Sequence, residues 1–102
     1  MNLADLTATE LLARYRDGSV SPVEVVEDVL TRVAAWEPQL CALYAPDPEG
    51  ARAAAQESER RWRAGTAGAL DGVPVTVKEN IATRGTPVPQ GTAATALVPA
   101  AA

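Results

Sequence analysis

Hydrophobic positions along the chain fall first into two helical stripes. Leu11, Leu12 and Tyr15 recur at helical spacing behind Thr7-Ala8-Thr9-Glu10, a capping box in which hydroxyl and carboxylate satisfy each other's backbone N–H groups. Leu6 and Leu11 stand on either side of it as a hydrophobic staple, and Gly18 supplies the stop. Ser21-Pro22-Val23-Glu24 repeats the device at once, with proline at the first helical position and Val20 and Val25 as its staple. Val26, Val29, Leu30 and Val33 continue the second stripe. Pro38 lacks the N–H an interior residue must donate, so the pattern predicts an end near Trp36 or Glu37.

Residues 40–45 are a short apolar run between prolines, read as a strand or a buried connector. Asp47-Pro48-Glu49 then supplies cap, first position and favourable charge for a third helix. Its stripe is built of small residues, Ala51, Ala54, Ala55 and Ser58, which predicts close packing against a neighbour with Trp62 as anchor. Gly65 ends it, and residues 65–72 read as a flexible turn region. The glycines there are spaced G-x-x-G-x-x-x-G with no strand before and no G-K-[ST] after, which excludes a phosphate loop. Beyond Gly72 the period changes to two: Val73, Val75 and Val77 alternate with Pro74, Thr76 and Lys78, predicting a strand with one apolar face. Pro74 cannot donate to a ladder, so it belongs at the strand's start or on an edge. From Thr83 the chain is rich in Thr, Pro, Gly and Ala, an irregular connection. One small domain or a piece of a larger one results, residues 1–65 mainly helical and 66–102 comprising turn, lysine strand and connection.

Composition narrows the chemistry. Hydrophobic residues make up 47% of the 102, but alanine supplies much of this and phenylalanine is absent, so the implied core is thin. A net charge of -4 without a basic cluster argues against nucleic acid as a partner. No apolar run approaches a membrane span, and Asp5 and Glu10 stand where a signal peptide would need a basic then apolar stretch, so the expectation is a soluble cytoplasmic protein. Cys41 has no partner for an internal disulfide and reads as a buried small hydrophobe. Histidine is absent, which removes Ser-His-Asp and Cys-His catalysis and every histidine-containing metal site from what this chain does alone; no metal and no cofactor are expected.

Eight of the basic residues are arginine and one is lysine, Lys78, at the end of the valine strand. With Val75 and Val77 facing a core, Lys78 points to the other face beside Thr76. On an edge strand that face is water and the lysine aids solubility. If the face is covered, desolvation lowers the ammonium pKa, and the neutral amine can take a proton from a hydroxyl or attack a carbonyl. Both readings follow from the local sequence.

The string Gly72-Val73-Pro74-Val75-Thr76-Val77-Lys78-Glu79-Asn80-Ile81, followed by Gly85-Thr86-Pro87 and Gly91-Thr92, resembles the lysine segment of the amidase-signature hydrolases. The two capped helices, residues 40–44, the alanine-rich third helix and the turn at 65–70 resemble that family's N-terminal approach, so the resemblance covers essentially the whole chain. It implies the N-terminal portion of an α/β fold, in which two or three helices pack on a mixed sheet and the lysine strand is one member. It also implies a Ser-cisSer-Lys triad in which neutral Lys78 accepts a proton from a bridging serine. That serine activates a second, which attacks the carboxamide carbonyl of a small-molecule amide substrate. Glu79 and Asn80 are assigned to shaping the turn after the strand, with orientation of Lys78 as a second role.

In that family both serines lie downstream, in a Gly/Ser-rich signature that these 102 residues do not reach. Ser19, Ser21 and Ser58 are all upstream, in a turn, at an N-cap and within a helix, so neither nucleophile nor bridging serine is present. The expectation is a chain that needs the remainder of the amidase domain and is inactive alone. Two other readings stand beside it. One is a non-catalytic helical interaction module. The other is an enzyme using Lys78 as a Schiff base, which would call for the many strands of a barrel where one or two are visible.

Overall fold

The computed structural model describes residues 2–43 and 46–77. Three helices follow a single 3-10 turn at Leu3–Asp5: α1 is Ala8–Asp17, α2 is Pro22–Leu40 and α3 is Pro48–Ala64. Each begins where a side chain takes up backbone N–H groups left without helical partners. At α1 the Thr7 Oγ1 accepts from the Glu10 N–H and Glu10 accepts from the Thr7 N–H, both at 3.1 Å. Ser21 and Glu24 build the same reciprocal box at α2, and Asp47 caps α3 by accepting from the Gly50 N–H at 3.0 Å. Left-handed Gly18 and Gly65 close α1 and α3.

The core lies where α1 meets the first half of α2. Leu11, Leu12 and Tyr15 are buried against Val25, which is 1% exposed, and Leu3, Leu6, Val20, Val29, Trp62 and Val73 pack around them. Four side chains of that kind contribute about 1.5–3 kcal/mol each for removal from water. Polar ties pull the elements together around this centre. The Leu3 N–H donates to Asp28 at 3.1 Å, Arg32 pairs with Asp5 at 2.6 Å, and Arg52 on α3 pairs with Glu27 on α2 at 2.6 Å. The close approach predicted for the small stripe of α3 is found: Ala55 and Ser58 are its buried residues.

Three expectations need correction. Helix α2 does not stop at Trp36 or Glu37 but runs through Pro38 to Leu40. The proline forfeits one hydrogen bond only a few residues from the helix end, and the Cys41 N–H closes the final turn by donating to the Glu37 carbonyl at 2.8 Å. Cys41 itself is exposed, in a left-handed conformation at φ 48°, and residues 40 and 41 are helix end and cap instead of strand or buried connector. Finally, every regular element among the described residues is helical. The mixed-sheet strand expected of an α/β fold is not seen over residues 73–77. Val75 and Val77, expected to face a core, are 80% and 56% exposed. A strand exists by pairing its backbone with a neighbour, and none of the described residues offers one. No helix among them is long and apolar enough to cross a membrane.

Candidate functional site

The lysine string begins at Gly72, and the side chains that hold its root come from α1 and α3. Ser58, Arg61 and Trp62 lie three and four residues apart on α3 and therefore share one face near its C-terminal end. Past Gly65 the chain doubles back. The Thr66 N–H returns to the Arg61 carbonyl at 2.9 Å, and a turn over residues 68–71 brings Asp71 under that face.

Asp71 is almost fully covered, its side chain 9% exposed, and its carboxylate is saturated with donors. Arg61 donates from Nε at 2.5 Å and from Nη2 at 2.8 Å, a two-pronged guanidinium fork. Ser58 Oγ donates at 2.6 Å and the Gly68 N–H at 3.4 Å. The Arg61 hydrogen bond, followed by that of Ser58, holds the Asp71 carboxyl well below the usual carboxylate range. Residues 65–72, expected to be a flexible turn region, are pinned at this end.

Two aromatic side chains fix the backbone next to that carboxylate. Trp62 Nε1 donates to the Asp71 carbonyl at 3.0 Å, and Tyr15 Oη donates to the Gly72 carbonyl at 2.8 Å. The rings pack on each other with centroids 5.6 Å apart and planes tilted by 49°. Burial pushes the Tyr15 phenol up to about 12, so it stays a donor across the physiological range. Gly72 is required here on two counts. Its φ is +86°, and a Cβ would sit 2.9 Å from Ser58 Oγ, 2.9 Å from the Tyr15 ring and 3.0 Å from Pro22.

Beyond Gly72, residues 73–77 run along an open apolar cleft of about 1390 Å³ whose walls are the Val26, Val29, Leu30 and Val33 face of α2 and the alanine face of α3. Val73 packs on the core, and the exposed Val75 and Val77 follow. Lys78, Glu79 and Asn80, the residues singled out from the sequence, lie outside the described residues, as do residues 81–102.

The serines are occupied as their positions in the sequence suggested. Ser21 Oγ accepts from the Val23 N–H at 3.1 Å and donates to Glu59 at 2.7 Å, tying the start of α2 to α3. Ser19 sits in the turn between α1 and α2, its N–H donating to Asp17 at 2.8 Å. Ser58 is buried and donates its hydroxyl hydrogen bond to Asp71, whose carboxyl is held well below the usual range. None is placed as a nucleophile. Among the described residues no His, Cys, Asp or Glu side chains group as metal ligands. Sequence reasoning missed Asp71. The one available signal was a lone acidic residue directly ahead of the Gly-Val-Pro start of the lysine string.

Comparison with known proteins matches the profile of the family described as Amidase over residues 24–102. Curated relatives similar to the chain include the A subunit of the glutamyl-tRNA(Gln) amidotransferase of Pelobacter propionicus, 41% identical over 84% of this chain and 18% of the relative. The protein of the same name from Roseiflexus sp. is 39% identical over 81% of this chain and 17% of the relative. That from Myxococcus xanthus is 40% identical over 83% and 18%. The chain thus spans less than a fifth of the length of these relatives. No solved structure matches it.

Proposed function

This chain belongs to the amidase family, and from that premise we propose that it supplies the lysine segment of an amide hydrolase. The observation that carries the reading is the family match over residues 24–102, which takes in the whole string from Gly72 through Lys78 to Ile81.

In the complete enzyme Lys78 acts as a neutral amine and proton acceptor. It takes a proton from a bridging serine, which takes one from a second serine as that oxygen attacks the carboxamide carbonyl. The C–N bond breaks with return of a proton to the leaving nitrogen, and water hydrolyses the acyl-enzyme to a carboxylate. Backbone N–H groups hold the oxyanion. Both serines and the oxyanion loop come from outside the 102 residues, from the remainder of the amidase domain. The role of this chain is to hold Lys78, with Glu79 and Asn80 shaping the turn behind it. The protein works in the cytoplasm on a small-molecule amide, with no cofactor.

The names of the relatives favour a second, narrower reading: each belongs to an amidotransferase, so the nitrogen released is passed to an acceptor instead of being lost as free ammonia.

The test is ammonia release from a panel of carboxamides by the complete enzyme and its Lys78→Ala variant. Loss of turnover with an unchanged melting temperature is expected; retained turnover rejects the role. The 102-residue chain alone is expected to hydrolyse none of the panel.

A further inference from the structure

We draw no further inference here: the strongest candidate, the open apolar cleft of about 1390 Å³ between α2, α3 and residues 73–77, carries nothing because nothing in the structure shows what covers it.

Discussion

Tyr15, in the last turn of α1, donates its phenolic hydrogen bond to the carbonyl of Gly72, 57 residues further along, at 2.8 Å. The contact ties the first helix to the start of the lysine string at Gly72. Tyr15→Phe removes the donor and leaves that carbonyl without its partner, at an expected cost of about 1–2 kcal/mol at pH 7. The pH dependence has a definite sign. The folded phenol is pushed up to about 12, above its ordinary value, so its contribution is complete below about pH 10 and lost as pH rises toward 12. Urea unfolding of parent and variant at pH 7 and pH 11 should therefore show a smaller gap at the higher pH.

Gly72 should be the least replaceable of the left-handed glycines. Gly18 and Gly65 have φ of +76° and +74°, and a Cβ added to either meets nothing within 4 Å. Alanine there costs only the left-handed conformation, about 1 kcal/mol. At Gly72 the same conformational cost is joined by overlap with Ser58, Tyr15 and Pro22. An expected total of about 3 kcal/mol follows. Melting curves of the three alanine variants check the order, and equal losses would mean the crowding around Gly72 is relieved cheaply.

The Asp71 carboxyl is held below its ordinary value chiefly by Arg61 and then by Ser58. A lowered folded value places the sign opposite to that of Tyr15. The stabilisation is complete above about pH 4 and drains away as pH falls below it toward the folded value. Asp71→Asn should be less stable than the parent at pH 7, and the gap should narrow at pH 3. Denaturant unfolding at the two values measures it. A gap of equal size at both would show that the charge contributes nothing to the clamp.

Much of the helical layer was legible because its signals are local. Thr7, Ser21 and Asp47 act within three residues of where they stand, and the stops at Gly18 and Gly65 within four. Pro38 misled because its cost depends on how much helix follows it, and only the last residues of α2 do. Val75 and Val77 have the period of a strand, but period tells which face a residue would take once a ladder exists and not whether a neighbouring strand is at hand. The Asp71 clamp was illegible for a related reason. Its donors at 58, 61 and 68 are brought together by the reversal after Gly65, and nothing in the residue types announces that pairing. The roles of Lys78, Glu79 and Asn80 rest on the string in which they stand, since all three lie outside the described residues.

The bare valines at 75 and 77 have a practical consequence for anyone concentrating this protein. Residues 73–77 carry no charge and are β-favouring, the composition from which fibril spines are assembled, and Pro74 is the sole residue in the stretch that cannot extend such a spine. The same ring that denies the stretch one ladder hydrogen bond therefore also interrupts it as a template for fibril growth.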